Sequence, residues 1–364
     1  MSKKVLVAMS GGVDSTVCAH IIKSLGYITE GLTLRLWSEN EIIPNSDDVA
    51  PDQNCIDAYN AARQLEIKHR SVALGDSFRK CVVEKFINDY INGKTPNPCV
   101  ECNKHIKLGE LIEIAKSNGF EALATGHYAR VEQLPSGEFV LKKAVDVSKD
   151  QSYFLWSVKK EYLPFILMPL GTYTKQEVRM IAEENKLECA YRSDSQDICF
   201  IPDNDYVSFI KKHSDAEFLP GNFVSSDGIV LGKHNGIINY TIGQRKGLGI
   251  GGRKESLFII ATDVKENVIY VGEGDAHPGL YRRALKLLPE ALHWVNPYDA
   301  MQVGERRAYD VRIRYRQPLQ RAEVICCEDG LYILFEEPQR GIAAGQFAAW
   351  YSGEELVGSG VIKQ

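Results

Sequence analysis

The chain has 364 residues, too many for one ordinary core, so two or three domains are expected. It is 44% apolar and 25% charged, with no low-complexity tract or internal repeat, and its net charge of −5 supplies no global field for polyanions, so any nucleic acid must meet locally grouped basic residues. No run approaches the roughly 20 apolar residues of a membrane helix, the opening MSKKVLVAMSGG breaks into glycines too early for a secretion signal, and nine cysteines then imply a reducing cytoplasm, where they serve as buried thiols, metal ligands or catalysts.

Residues 1–130 alternate between strand and helix patterns. Val5–Met9 reads as a buried strand, Val13–Leu25 as a helix and Thr29–Trp37 as a second strand. Asp52–Leu65 is helical, with Ala58, Ala61, Ala62 and Leu65 along one side; His69–Leu74 follows as a strand and Asp76–Ile91 as a helix. Ile106, Leu108, Leu111, Ile112 and Ala115 space one face of a helix over Ile106–Ser117, Ala122–Thr125 is a short strand, and Lys175–Lys186 is a further helix. This alternation predicts an α/β fold: a parallel sheet with helices on both faces, binding its ligand beyond the carboxyl ends of its strands. The texture changes near residue 205. Val224–Ile250 is rich in glycine and short β-like runs, and Gly243, Arg245, Lys246 and Gly247 form a basic loop, either a cover for RNA or a surface turn. From Tyr281 the pattern is mostly β, with Ala308–Tyr315, Glu323–Cys327, Tyr332–Glu336 and Phe347–Tyr351 separated by turns, as in a small barrel or sandwich. The expected division is 1–205, a catalytic nucleotide-binding domain; 206–280, a small central domain; and 281–364, a C-terminal β-barrel.

The first strand hands over to the first helix through Ser10-Gly-Gly-Val-Asp-Ser15. A glycine-rich turn here presents unpaired N–H groups at the positive end of a helix dipole, and Gly11 and Gly12 let an anion approach without a Cβ in the way. Ser10 and Ser15 add hydroxyls. Asp14 would repel phosphate directly and is expected to act through Mg2+. No lysine follows Gly12, so this is not the kinase-type loop. A serine-capped tight turn is the plainer reading of a bare Gly-Gly; the longer motif in this context favours a nucleotide. It resembles the PP-loop of the ATP pyrophosphatases, which split ATP between its α- and β-phosphates. The resemblance implies a Rossmann-like sheet of the adenine nucleotide alpha hydrolase type. It also implies that Ala8, Met9, Ser10, Gly11, Gly12, Val13, Asp14 and Ser15 cradle the phosphates, while Leu34 and Gly126 contact the adenosine.

Cys99 and Cys102 lie in Asn97-Pro-Cys-Val-Glu-Cys-Asn103, which opens a helix. A thiol at a helix N-terminus is expected to have a lowered pKa, which suits a nucleophile or a metal ligand. Cys199 lies far along the chain, between polar residues and a Phe-Ile pair. Cys18, Cys55, Cys81, Cys189, Cys326 and Cys327 sit in helix or strand patterns and read as buried apolar residues. A zinc half-site is the structural alternative for Cys99 and Cys102, but no other C-x-x-C completes it. A thioredoxin-like pair is a further alternative.

SGGVDS, NPCVECNKHIKLG, ATGHYAR, KDQSYFLW, DSQDICFIP and YTIGQRKGLG together resemble the bacterial tRNA-specific 2-thiouridylases along almost the full chain. That resemblance implies an enzyme, a tRNA-uridine 2-sulfurtransferase. It would replace O2 of the wobble uridine with sulfur in the tRNAs for Lys, Glu and Gln, using ATP and Mg2+. The uracil oxygen is adenylated, a persulfide on Cys199 delivers sulfur, and Cys102 assists and can close a disulfide with Cys199. The sulfur donor is implied to be a persulfide-bearing relay protein or a cysteine desulfurase, the location cytoplasmic, and a monomer is expected. Many members carry Asp where this chain has Cys99. Cys99, Cys102 and Cys199 could therefore be three ligands of a 4Fe–4S cluster with one open iron, a second scheme beside the persulfide relay.

Arg312, Arg314 and Arg316 alternate with Val311, Ile313 and Tyr315, which places three guanidiniums on one face of a strand, with Arg306, Arg307 and Arg321 close in sequence. This is a basic patch for phosphates or an exposed strand with solvated arginines. The resemblance implies tRNA contacts by Asn97, Pro98 and Cys99 at the target base, and by His127, Lys149, Asp150, Gln151, Arg314, Tyr315 and Gln346. Tyr315 then conflicts with simple alternation, and His127 alone could equally serve a backbone carbonyl. Two other classes remain at this stage: a PP-loop ligase acting on a small metabolite, which needs neither Cys102 nor Cys199, and a non-catalytic tRNA-binding protein.

Overall fold

Val5, Leu6 and Val7 are wholly excluded from solvent, as a strand covered on both faces requires. They lie in β1 (Lys4–Ala8), the centre of a five-stranded parallel sheet. The computed structural model describes residues 2–38, 41–42, 52–192, 198–201 and 203–363. The Ser193–Asp197 part of the Cys199 motif, and Pro202, lie outside the described residues. β1 pairs with β2 (Ile28–Arg35) on one side and β4 (Ala122–Ala124) on the other; β3 (Lys68–Ala73) and β7 (Ile166–Leu167) form the edges. The helices α1 (Val13–Ser24) and α2 (Gln53–Gln64) cross between strands. Asp52 caps α2, its carboxylate accepting from the Cys55 N–H at 2.7 Å. The strand expectations over residues 1–125 and the first two helices therefore hold to within two residues at their ends, while the helix expected over Asp76–Ile91 spans residues 75–91 with a π-helical stretch at Arg79–Val83.

The helix expected over Ile106–Ser117 starts earlier and is not uniformly α. A turn at Pro98–Glu101 runs into a π-helical segment, Cys102–Glu110, and only Leu111–Ser117 is α-helical. Gly109 explains the wider turn: a Cβ there would lie 2.7 Å from the Lys104 carbonyl oxygen, five residues back. Leu108 takes up the irregularity with φ −117° and ψ 15°.

One hairpin went unread in the sequence. β5 (Ala129–Gln133) and β6 (Phe139–Lys143) leave the nucleotide-binding region and join the sheet of the C-terminal barrel, where Lys142 pairs with Glu355. The small central domain is a four-stranded sheet of β8 (Gly221–Ser225), β9 (Val230–His234), β10 (Leu257–Asp263) and β11 (Val268–Glu273).

The barrel contains β12 (Tyr281–Trp294), β13 (Arg306–Arg312), β14 (Gln320–Cys327), β15 (Gly330–Arg340), β16 (Phe347–Ser352) and β17 (Glu355–Ile362). Its order is β12-β15-β14-β13-β16-β17, and β12 pairs back onto β17, so the sheet closes. Trp350, Val311, Val324, Ile333 and Phe335 fill its interior.

The expected strand Ala308–Tyr315 is corrected here. β13 ends at Arg312, and a turn follows, with the Gln317 N–H donating to the Arg314 carbonyl at 3.2 Å. Pro318 has no N–H with which to continue a ladder. Strand alternation therefore does not reach Arg314 and Arg316, and Arg312 is buried rather than presented to solvent.

Candidate active site

The loop after β1 has the form an anion cradle needs. Gly11 holds φ +78°, and a Cβ there would stand 2.6 Å from Asp57 Cβ. Beside Gly12 the space is open, with only Ser10 Oγ at 3.8 Å from a Cβ position. Gly12 is also the N-cap of α1 and gives no side-chain cap, so the first-turn N–H groups are left to an incoming anion. The Ser15 hydroxyl is engaged within the loop itself. Ser15 Oγ accepts from the Ser10 N–H and donates to the Gly12 carbonyl, both at 3.1 Å, so it shapes the loop. Arg192 donates to the Gly11 carbonyl at 3.1 Å and pairs with Asp57, fixing the loop from outside.

Gly126 follows β4 and crosses the cradle closely: a Cβ there would meet the backbone of Asp14 and Ser15 at 3.0 Å. Leu34, at the end of β2, stands on the other side of β1, so the three expected nucleotide segments meet at the carboxyl edge of the sheet. Asp14 Oδ1 accepts from Lys175 Nζ at 2.6 Å and from the Tyr128 hydroxyl at 2.8 Å.

The three thiols lie near enough to act on one another. Cys102 is buried and packs in one apolar cluster with Phe200, Ile201 and Ile198, the neighbours of Cys199. Cys99 and Cys199 reach solvent. Burial pushes the Cys102 thiol up to about 12, opposed by Lys107 and reinforced by Cys199 and Cys99. Although Cys199 and Cys99 each keep a solvent-facing side, the surrounding protein partly desolvates their thiols and raises both, and Lys107 opposes it at both. The lowered pKa expected at Cys102 is thus corrected. Asn97 is the N-cap, so Cys102 lies beyond the first turn, where the dipole fades, and desolvation dominates.

Lys107 is the residue sequence reasoning missed. In an α-helix a residue five positions on from Cys102 points away from it. The wider turn of the π-helical segment narrows that angle, and Lys107 acts electrostatically on the Cys102 thiol. Burial alone would lower the Lys107 ammonium; Cys102, Cys99 and Cys199 together raise it. Lys107 also repels a proton from His127, which burial already holds neutral with a pKa lowered to about 3. One cation therefore borders both the three thiols and the loop that covers the cradle.

The residues expected to meet RNA fall into two groups. Some are tied into the scaffold. Asp150 is buried in an ion pair with Arg312 and accepts from the N–H groups of Ala144 and Ser152. Gln151 Oε1 accepts from the Tyr128 N–H at 2.9 Å. Gln346 donates to the Thr95 carbonyl at 2.7 Å, holding the segment before Asn97 and Pro98 against the barrel. His127 Nδ1 bonds Thr125 Oγ1 at 2.9 Å. Others face outward: Arg314 is exposed, with its guanidinium on the carbonyls of Arg340 and Gly341, and Lys149 is half-buried. Tyr315 is half-buried, its ring 4.4 Å from Phe154, which removes its conflict with strand alternation because no strand runs there. Of the six cysteines read as structural, Cys18, Cys55 and Cys189 are buried, while Cys81, Cys326 and Cys327 are half-buried. Among the described residues no three or more His, Cys, Asp or Glu side chains are grouped to hold a metal ion. No helix among them is long and apolar enough to cross a membrane.

Comparison with known proteins adds three family matches. A model described as the tRNA methyl transferase HUP domain matches residues 3–203, one described as the tRNA methyl transferase PRC-barrel domain matches 207–273, and one described as the aminomethyltransferase beta-barrel domain matches 285–362. A protein of Christiangramia forsetii named tRNA-specific 2-thiouridylase MnmA is 41% identical over 394 residues, covering 99% of this chain and 100% of its own. Proteins of the same name from Flavobacterium johnsoniae and Clostridioides difficile are 39% and 38% identical, covering 99% and 100% of this chain and 100% and 99% of their own.

Proposed function

The chain belongs to the tRNA-specific 2-thiouridylase family, an enzyme family of tRNA sulfurtransferases with an ATP-binding PP-loop domain, and from that premise we propose how its residues carry out the reaction. The substrate is the wobble uridine of the tRNAs for Lys, Glu and Gln, and the oxygen replaced is O2. An anticodon-loop base is already unpaired, so it can enter a recess without breaking a duplex.

ATP lies with its phosphates on Ala8–Ser15 and its adenosine between Leu34 and Gly126. The open space beside Gly12 and the uncapped start of α1 fit a polyphosphate. Asp14 is the carboxylate that would hold Mg2+, which would supply charge neutralisation at the phosphates. Uracil O2 attacks the α-phosphorus, the bond to the β-phosphate oxygen breaks, and pyrophosphate leaves with the electron pair. O2 is thereby turned into part of a good leaving group.

Cys199 carries a persulfide received from a donor protein; its exposed side chain suits that delivery. The terminal sulfur attacks C2, the C2–O2 bond breaks, and AMP departs with the oxygen. Cys102 then attacks the Cys199 sulfur, forming the Cys102–Cys199 disulfide and leaving the sulfur on C2. Two thiols are oxidised, the persulfide sulfur is reduced to the thione level, and an external dithiol restores the enzyme. Lys107 is the counter-charge for each sulfur anion in turn.

The feature that supports this reading is that Lys107 acts electrostatically on the three thiols and on His127, which follows Gly126 in the loop crossing the cradle. Cys99 supports a second scheme, since it adds a third thiol at the same place. Three thiolates are the donor set of a cluster with an open iron, but the side chains as arranged do not group around a metal and Lys107 stands among them. We therefore derive no step through iron. The test combines the protein, ATP, Mg2+, a persulfide donor and an anticodon stem-loop. Thiolated uridine with stoichiometric AMP supports the proposal; AMP formed without RNA indicates a small-molecule ligase, and RNA binding without AMP a non-catalytic binder.

A further inference from the structure

Asn103 follows Cys102 in the chain and is only 4% exposed. Its side-chain amide is half used. Nδ2 donates to the Phe154 carbonyl at 3.3 Å, while the buried Oδ1 has no hydrogen-bond partner among the described residues. The Phe154 carbonyl fixes this orientation, because turning the amide over would set two acceptors against each other. A buried amide oxygen without a donor is a standing cost, which a ligand that brings a donor removes. We propose that Asn103 is a base-reading residue of this enzyme: its Oδ1 accepts the N3–H of the wobble uracil and so selects uridine against cytidine.

The helix places Asn103 beside the thiols. The chain is helical from Pro98 through Asn103, and residues three and four apart on a helix are neighbours. Cys102 and Asn103 therefore both adjoin Cys99, one turn further in. Cys99 reaches solvent, whereas Cys102 and Asn103 are buried. Phe154, whose carbonyl holds the Asn103 amide, has its ring 4.4 Å from that of Tyr315. The pyrimidine fits this order of groups. N3 is bonded to C2, the carbon that takes sulfur, so a base with C2 at the thiols turns its N3 edge to an adjoining residue. Unpaired bases are read on that edge. Uracil carries a proton on N3. Cytosine carries a lone pair there, which would repel Oδ1 and leave it without a donor.

This assignment rests on the thiolation reading, and the experiment separates the two. Anticodon stem-loops with uridine, cytidine or 3-methyluridine at the wobble position are titrated by fluorescence anisotropy against wild type, Asn103→Leu and Asn103→Asp. Thiolation of the uridine loop is followed in parallel. Wild type should bind the uridine loop about tenfold to a hundredfold more tightly than the other two, as a gained hydrogen bond set against an unpaired acceptor implies. Asn103→Leu keeps the volume and loses the acceptor. It should bind all three loops alike, with the affinity that wild type has for the cytidine loop. Asn103→Asp keeps an acceptor oxygen and should retain part of the preference. Equal wild-type binding of the uridine and 3-methyluridine loops overturns the assignment without recourse to a variant. An undiminished preference in Asn103→Leu overturns it as well. Equal weakening of all three loops by that variant does the same, because Asn103 would then only hold the helix against Phe154. A wild type that prefers the uridine loop but forms no thiolated uridine overturns the thiolation reading alone.

Discussion

Arg312 at the end of β13 closes an ion pair with Asp150, 162 residues earlier, and the two side chains retain only 7% and 2% of their exposure. The Tyr351 hydroxyl and Ser152 Oγ bond the same guanidinium at 2.9 and 3.2 Å, so the barrel and the nucleotide-binding region share one buried polar network. Removing one partner of such a pair leaves an uncompensated charge. Arg312→Met should therefore lower the unfolding free energy by about 3–5 kcal/mol in denaturant titrations. Asp150→Asn added to it should return part of that loss, because the two changes are coupled. A single variant within about 1 kcal/mol of wild type would show that the network carries little of the stability.

Arg312 also marks where sequence reasoning stopped working. Period-two alternation is a property of a paired strand, and nothing in Arg-Ile-Arg-Tyr-Arg says that pairing ends at its first residue; the decision is made by Pro318 and by a carboxylate far away in sequence. The parallel strands were legible because Val5–Val7 and their neighbours are apolar without alternation, and the cradle because Gly11 needs a positive φ. Lys107 was not legible: its nearness to Cys102 depends on a π-helical turn that Gly109 permits, and helix periodicity assumes 3.6 residues per turn. Lys175 left one faint signal, a lysine at the first position of a helix announced by Thr174 and Glu177.

Gly126→Ala tests the contact between the cradle and its cover. A Cβ at 3.0 Å from the Asp14 and Ser15 backbone forces the two loops apart by a few tenths of an ångström. The phosphate N–H groups belong to that backbone, so ATP affinity should fall about tenfold, one lost hydrogen bond's worth. RNA affinity should not change. Unaltered nucleotide binding in a filter or calorimetric assay would mean that the crossing does not shape the site.

Cys199→Ser should separate activation from sulfur transfer. The hydroxyl keeps the size of the thiol but cannot hold a persulfide, so the variant should bind tRNA and consume ATP with no thiolated uridine detectable by mass spectrometry. Retained thiolation would remove Cys199 from the mechanism. Cys102→Ser should instead leave RNA trapped as a disulfide adduct on Cys199, released by added dithiothreitol.

The sign of the Lys107 effect follows from the thiols. Partial desolvation by the surrounding protein raises the Cys199 thiol above the ordinary range and Lys107 lowers it. Lys107→Met should therefore raise it further and reduce the thiolate fraction at every pH below its titration. Iodoacetamide labelling of Cys199 at pH 8, followed by peptide mapping, should slow by about threefold to tenfold, one pKa unit being a factor of ten. The wild-type and variant rates should converge above the thiol's pKa, where both are fully ionised. Equal labelling at pH 8 would place the ammonium too far from the sulfur to act on it.

Cys99 decides between the two sulfur schemes. In the relay only Cys199 and Cys102 exchange sulfur, and Cys99 is a neighbour whose charge raises both thiols. Anaerobic incubation with iron and sulfide should then give Cys99→Ala the same iron content as wild type, and the same thiolation rate with a persulfide donor. In the cluster scheme Cys99 is one of only three protein ligands, and losing it would expose a second iron to solvent and strip the cluster. Measured against wild type, iron bound at about four per chain and lost in Cys99→Ala, together with activity driven by free sulfide, would transfer the mechanism from persulfide to cluster. Aerobic preparations cannot make this distinction, since oxidation removes iron from both proteins alike.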